Sequence, residues 1–145
     1  MRGVLAITAA LHGVDPVRRV LTLSHHGLKN VLVRDPISEA ELQRLTDAIE
    51  TVIVHQRWCP NPPDRCGLHH ASGVRIAPFD RFTGASCHSA EQVDDALRTA
   101  NYALLSPVFR PISKPRDMRP VLGPDQFLAI AGGRPVFALG GLTPA

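Results

Sequence analysis

Short apolar runs alternate along this chain with segments that carry helix-start signals. Asp15-Pro16 pairs an N-cap residue with proline at the first helical position, and Ser38-x-x-Glu41 is a capping box ahead of a second helical stripe. Strands that alternate with helices in this way predict a parallel sheet with right-handed crossover connections. Seven runs of strand length are present, at residues 4–8, 30–34, 51–55, 67–71, 83–88, 102–109 and 135–140.

The number and order of these runs predict the fold class: α/β, a TIM-type (β/α) barrel, shortened and lacking the eighth strand and helix. Barrels of this type usually need about 200 residues or more. The chain has 145, a length that fits one domain over residues 1–145. Residues 57–66 hold three prolines, so a loop replaces the helix expected after the third strand. An open doubly wound sheet is the alternative, but no glycine-rich fingerprint follows the first strand.

The net charge of the chain and the lengths of its apolar runs argue against nucleic-acid and membrane partners. A net charge of +3, from 16 basic and 13 acidic residues without a basic cluster, predicts no nucleic-acid partner. No apolar run approaches the length of a membrane span, so no membrane partner is predicted. The N-terminal "MRGVLAITAALHG" resembles a weak signal peptide, but a first strand is the preferred interpretation. Three cysteines without repeated spacing favour a reduced, cytoplasmic protein.

Candidate functional residues cluster at the predicted carboxyl ends of the strands, where α/β barrels place their sites. These ends are basic and rich in imidazole, a composition that suits a small anionic substrate and proton transfer. The residues are Thr8, Arg34, His55, His69, His70, His88, Ser106, Gly140 and Gly141, with Lys114 in the loop after the sixth strand.

His88 is the strongest single candidate for acid/base chemistry. It ends a strand just before the helix N-cap Ser89, and an imidazole ordinarily titrates near neutral pH. The alternative is a helix-start histidine that only makes local hydrogen bonds. Lys114 is a candidate phosphate ligand, with a solvated loop lysine as the alternative. Gly140-Gly141 offers backbone N–H groups to a phosphate, with a plain turn as the alternative.

Other titratable residues carry weaker signals. Arg34 either binds an anion or pairs with a nearby carboxylate such as Asp35. The spacing C-x6-C-x2-H-H, from Cys59 to His70, matches no common zinc motif, so no metal site is predicted. Cys87 and His88 are adjacent in a strand and point to opposite faces, which argues against a thiol nucleophile. The roles of His55, His69, His70 and the cysteines stay open.

Several motifs of this chain resemble, in order and spacing, the thiamine phosphate synthase/TenI superfamily. The resemblance covers nearly the whole chain and is weakest between Trp58 and Phe82. It implies a (β/α)8 barrel of thiamine biosynthesis, whose members are often dimeric or larger. The motifs are "NVLVRDPISEAEL", "GLHHASG", "TGASCHSAEQVDDAL", "YALLSPVFRPISKP" and "PVFALGGLTP".

Within that superfamily, the departures of this chain favour the TenI branch. The synthases join a pyrimidine diphosphate to a thiazole phosphate with Mg²⁺, whereas TenI-like members tautomerise a thiazole carboxylate phosphate to its aromatic form. Pro36 stands where synthases carry a lysine, and His55-Gln56 where they carry Asn-Asp. No aspartate follows shortly after the "GLHH" strand either, so hard oxygen ligands for Mg²⁺ are missing at these positions.

The resemblance implies a role for each candidate residue. His88-Ser89 matches the "HS" motif that holds the family's catalytic histidine, so His88 is expected to be the general acid/base. Gly140-Gly141 and Lys114 are expected to bind the phosphate, and Arg34 the carboxylate or phosphate, with Ser106 among the substrate-binding residues. The implied ligand is a small phosphorylated thiazole, and no metal or cofactor is expected unless the synthase alternative, with Mg²⁺, holds.

Two further alternatives stay open. One is a catalytically inactive barrel that binds a phosphorylated thiazole, or an assembly partner, without turnover. The other concerns the eighth strand, which the family possesses and this sequence does not reach. Either the chain is a fragment, or a partner subunit of a homo-oligomer covers the gap, or the seven strands suffice.

Overall fold

Short strands and helices alternate through a computed structural model of the chain. The structure describes residues 4–8, 15–74, 76, 81–110, 116 and 118–140. Within these residues there are seven strands: β1 Leu5–Ile7, β2 Asn30–Val33, β3 Thr51–His55, β4 Gly67–His70, β5 Thr83–Cys87, β6 Tyr102–Leu105 and β7 Val136–Ala138. The helices there are α1 Pro16–Ser24, α2 Glu39–Ala48, α3 Ala90–Ala96 and α4 Gly123–Ala131.

The strands confirm the predicted α/β class with seven parallel strands among the described residues. The chain divides into two compact units, the first formed by Met1–His69 and Asp80–Phe82, the second by His70–Phe79 and Thr83–Ala145. In the first unit β1, β2, β3 and β4 pair in chain order, and in the second β5, β6 and β7 do so. Among the helices of the described ranges, none combines the length and the apolar character that crossing a bilayer requires.

The two predicted helix starts of the first unit are confirmed. The Asp15 carboxylate accepts hydrogen bonds from the backbone N–H groups of Val17 (2.9 Å) and Arg18 (3.2 Å). Ser38 and Glu41 form the reciprocal capping box. Hydrogen bonds from Ser38 hold the pKa of the Glu41 carboxyl below its ordinary value. Both caps satisfy N–H groups that a helix start leaves without partners.

One face of the first unit's sheet packs against α1 and α2. Successive strand residues point to opposite faces, and Val31, Val33, Val52 and Val54 lie on the helix-facing side. The helices contribute the buried stripes predicted from their apolar spacing, with Val17, Val20, Leu42 and Leu45 in the same apolar cluster. Burial of these side chains away from water is the main favourable contribution to folding of this unit.

A loop joins β3 to β4, as the prolines predict. Residues 56–66 contain turns and no helix, and the N–H of Cys66 donates to the carbonyl of Pro63 at 2.8 Å. Arg81, which lies outside this loop in the sequence, is hydrogen-bonded to it. Its guanidinium donates to the carbonyl of Pro62 at 3.0 Å and to the Asp64 carboxylate at 3.2 Å.

The second unit repeats the same division into faces. Ala85, Cys87, Ala103 and Leu105 belong to an apolar cluster that includes Val93 of α3, with Phe127, Ile130 and Val136 packed against it. All three strands of this unit are shorter than predicted, since β5 ends at Cys87, β6 ends at Leu105, and β7 runs only from Val136 to Ala138. Pro107 has no N–H to donate to a ladder, which explains why β6 does not continue through it.

On the opposite face of this sheet, the Tyr102 ring lies over Gly84. Gly84 is paired with Tyr102 in the β5–β6 ladder. A Cβ at position 84 would overlap Cε1 and Cζ of the ring. Tyr102 is 1% exposed and meets the Phe137 ring edge to face, with 6.0 Å between centroids. Burial raises the pKa of the Tyr102 hydroxyl. Glycine is therefore required at position 84 by the space that the tyrosine occupies.

We expect Gly84→Ala to lower the free energy of unfolding by about 3 kcal/mol or more, because the buried ring has nowhere to move. The matched control is Gly133→Ala. Gly133 has a φ of +77° and no atom near its Cβ position, so the control should cost only about 1–2 kcal/mol of backbone strain. Urea denaturation followed by circular dichroism measures both. Equal losses in the two variants would show that the ring does not constrain position 84.

Candidate active site

The backbone of His88 is held at the junction between β5 and α3. Cys87, the last residue of β5, points into the apolar cluster, so His88 starts on the other face. The Gln92 side-chain carbonyl accepts a hydrogen bond from the His88 backbone N–H at 2.8 Å. Ser89 is the N-cap of α3, and its hydroxyl accepts from the Gln92 N–H at 3.3 Å.

Ser89 and Gln92 have the spacing of a capping box but form only one half of it. Ser89 caps the helix as predicted, but the return hydrogen bond from Gln92 goes to His88, one residue before the N-cap. The glutamine side chain thus helps to hold the candidate histidine in addition to the helix start.

The His88 imidazole is oriented by the end of the neighbouring strand. Its Nδ1 lies 2.8 Å from the backbone carbonyl oxygen of Ser106 and 3.3 Å from the Ser106 hydroxyl. A carbonyl oxygen only accepts, so Nδ1 carries the hydrogen and Nε2 of the neutral ring carries the lone pair. The ladder bond from the Ser106 N–H to the Cys87 carbonyl, at 3.0 Å, brings the two residues together.

An arginine that the sequence analysis did not identify lies against the same ring. Nη1 of Arg119 is 3.1 Å from Nδ1 and 3.0 Å from Nε2 of His88. Arg119 belongs to the segment between β6 and α4. It has no helical or strand periodicity there, and no local motif distinguishes it from Arg110 or Arg116. Only its three-dimensional position marks it as a site residue.

Gly140 follows β7 and closes against the segment after β6. Its φ is +97°, and a Cβ there would lie 3.2 Å from the Phe109 carbonyl oxygen and from Cα of Pro107. Its own carbonyl accepts from the Phe109 N–H at 3.0 Å. Glycine is required at this position both by its φ and by the close approach. Its contact with a phosphate stays a prediction.

Of the other predicted site residues, one belongs to the first unit and two lie outside the described residues. Arg34 belongs to the first unit, where its side chain is exposed and its backbone N–H donates to the Thr8 hydroxyl at 2.8 Å. Lys114 and Gly141 lie outside the described residues. In the second unit, the structure thus joins His88 to Ser106 and adds Arg119.

The other strand-end histidines are buried. His55 and His69 lie in the first unit with ring centroids 5.6 Å apart. Nδ1 of His55 accepts from the Arg57 N–H at 3.2 Å. Burial lowers the pKa of His70, so its ring is neutral at neutral pH. Within residues 4–8, 15–74, 76, 81–110, 116 and 118–140, no three or more His, Cys, Asp or Glu residues are placed to hold a metal ion.

The thiol beside His88 has no access to a substrate. Cys87 is 1% exposed, and its Sγ lies 3.4 Å from the Gln92 carbonyl oxygen. Burial raises the pKa of this thiol to about 11. The expectation that Cys87 and His88 point to opposite faces is confirmed by the place of Cys87 in the apolar cluster.

Comparison with known proteins assigns no family to this arrangement. No protein-family model matches the chain, and no curated protein matches its sequence.

We expect the three thiols to differ in their reactivity towards iodoacetamide at pH 8. Cys59 is half-buried and should be alkylated in the native protein. Cys87 should resist, because burial and a pKa of about 11 leave roughly one thiol in a thousand ionised. The buried Cys66, whose pKa burial also raises, should behave like Cys87. Peptide mass spectrometry measures each site, and alkylation in urea, where all three should react, is the control. Rapid native alkylation of Cys87 would contradict the described burial.

Proposed function

We propose that this protein is a TenI-like thiazole tautomerase of thiamine biosynthesis, with His88 as its general acid and base. The observation that carries the proposal is the 2.8 Å contact between Nδ1 of His88 and the Ser106 carbonyl. In a neutral ring, this contact places the hydrogen on Nδ1 and the lone pair on Nε2, the tautomer that a proton-accepting histidine needs.

The proposed reaction moves one proton and leaves the atoms of the substrate otherwise unchanged. Nε2 of His88 takes a proton from one carbon of the thiazole carboxylate phosphate, and the C–H electron pair enters the ring system. The imidazolium then returns a proton to a second carbon, which gives the aromatic tautomer. The Ser106 carbonyl accepts from Nδ1–H throughout and stabilises the positive ring between the two steps.

The finer fold assignment is part of the same proposal. We take the chain to be a shortened TIM-type (β/α) barrel of the thiamine phosphate synthase/TenI superfamily. The parallel strands, which pair in chain order within each unit, support this assignment. In such a barrel, the carboxyl end of a strand is the usual position of a catalytic residue, and His88 directly follows β5.

The ligand and setting follow from the resemblance. The proposed ligand is a small phosphorylated thiazole, and Gly140, Gly141 and Lys114 are proposed to bind its phosphate. Arg34 is proposed as an anion-binding residue. The reaction as written needs no metal or redox cofactor. A cytoplasmic homo-oligomer is the proposed form of the protein.

We expect His88→Ala to lower the kcat of tautomerisation by about 10²- to 10⁴-fold, because the proton loses its carrier. Turnover of the thiazole carboxylate phosphate, followed by the absorbance of the aromatic product, is the measurement. His26→Ala, at an exposed histidine of the first unit, is the matched control and should leave the rate unchanged. Ser106→Ala keeps the backbone carbonyl, so its loss should stay below about tenfold.

Three results would count against this proposal, the first against the role of His88 and the other two against the tautomerase activity. Unchanged turnover in His88→Ala would remove His88 from the mechanism. Mg²⁺-dependent coupling of a pyrimidine diphosphate to a thiazole phosphate by the wild type would favour the synthase. Saturable binding of the phosphorylated thiazole without turnover, by folded protein, would favour an inactive binding barrel.

A further inference from the structure

The contact between Arg119 and His88 has a specific geometry. One guanidinium nitrogen, Nη1, is almost equally far from the two ring nitrogens, at 3.1 Å and 3.0 Å. A position in the ring plane equally close to both nitrogens would collide with Cε1, which lies between them. Nη1 therefore lies over the face of the imidazole rather than at its edge.

This placement leaves the in-plane chemistry of the ring intact. The Nδ1 hydrogen points in the ring plane to the Ser106 carbonyl. The Nε2 lone pair also lies in the ring plane, so a group above the face does not accept or donate along that direction. Arg119 thus adds a permanent positive charge beside the proposed base without occupying its reactive nitrogen.

We infer that Arg119 binds the carboxylate of the substrate and so selects an acid whose carboxylate adjoins the carbon that exchanges its proton. This inference rests on the proposed tautomerase and names a further binding residue of that site. Guanidinium is planar, always charged and matched to the two oxygens of a carboxylate. An anion that approaches the Nε2 edge of His88 comes within reach of this guanidinium.

The chemistry of the proposed reaction favours the carboxylate over the phosphate at this position. Removal of a proton next to a carboxylate spreads negative charge into that group, and a fixed cation there stabilises the charge as it develops. A phosphate on a side chain of the thiazole takes no part in that delocalisation. Of the two negatively charged groups of the substrate, the carboxylate is therefore expected to lie closer to His88.

The test measures binding and turnover separately. The ring signals of His88, in protein labelled with ¹⁵N at histidine, are followed during titration with a thiazole carboxylate that lacks phosphate, and in parallel with inorganic phosphate. In the wild type, the carboxylate should shift the His88 signals in a saturable way. Arg119→Ala should weaken this affinity by about 10- to 100-fold, the usual effect of losing a charged hydrogen-bonding partner. Arg119→Lys should restore part of it.

Arg116→Ala is the matched control, because Arg116 is an exposed arginine of the same segment between β6 and α4. It should bind the carboxylate like the wild type. The His88 signals of unliganded Arg119→Ala, compared with the wild type, verify that the ring keeps its tautomer. In the turnover assay, Arg119→Ala should lower kcat/KM by at least about tenfold.

The outcomes separate this inference from the proposed function. Carboxylate binding that needs Arg119, in a protein without turnover, would support the inference and overturn the tautomerase. Normal turnover and normal carboxylate affinity in Arg119→Ala would overturn the inference and leave the tautomerase standing. The inference would also be overturned if Arg119→Ala abolished the shift of the His88 signals by phosphate but left their shift by the carboxylate unchanged.

Discussion

The parallel ladder between β5 and β6 is the interaction on which the candidate site depends. Its last bond, from the Ser106 N–H to the Cys87 carbonyl, joins the residue that follows β6 to the last residue of β5. That register places the Ser106 carbonyl beside the His88 ring, where it accepts from Nδ1. A shift of one residue would turn every side chain of β5 to the opposite face and would separate this pair. Strand register thus determines the tautomer of the imidazole.

The alternation of faces explains how one short strand contributes both to the apolar cluster and to the candidate site. Ala85 and Cys87 point into the apolar cluster against α3, and burial leaves the thiol unreactive. Gly84 has no side chain, and this leaves the space that the Tyr102 ring occupies on the other face. His88 leaves the strand on that same face, in front of a helix whose Gln92 holds its backbone. The residues that stabilise the unit therefore also restrict the positions that His88 takes.

Regular and irregular segments contribute differently to the site. His88 and Ser106 directly follow strands, and their geometry is set by backbone hydrogen bonds on a rigid sheet. Arg119 comes from an irregular segment and is exposed. This division suits the proposed proton transfer, because the proposed base needs one tautomer, whereas a cation acts by its charge over a wider range of positions.

In the described residues, local pattern determined the type and order of the helices and strands, and the sequence by itself was sufficient to predict these, although not where every strand ends. Caps at Asp15 and Ser38, apolar strand runs and the prolines of residues 57–66 act through neighbours a few residues away, so each was predicted and is confirmed. The position of His88 at a strand end was predicted in the same way. Its chemistry came only from the resemblance and stays a hypothesis.

Tertiary structure alone decided what surrounds His88. Ser106 lies 18 residues and Arg119 lies 31 residues from it along the chain. The sequence between His88 and Arg119 has no helical or strand periodicity that would predict their contact. The return bond of Gln92 to His88, rather than to the N-cap, was likewise decided by the strand–helix junction. The physical reason is that local propensity acts over one turn of helix or a few strand residues, whereas such contacts depend on where the sheet and its loops bring distant residues together.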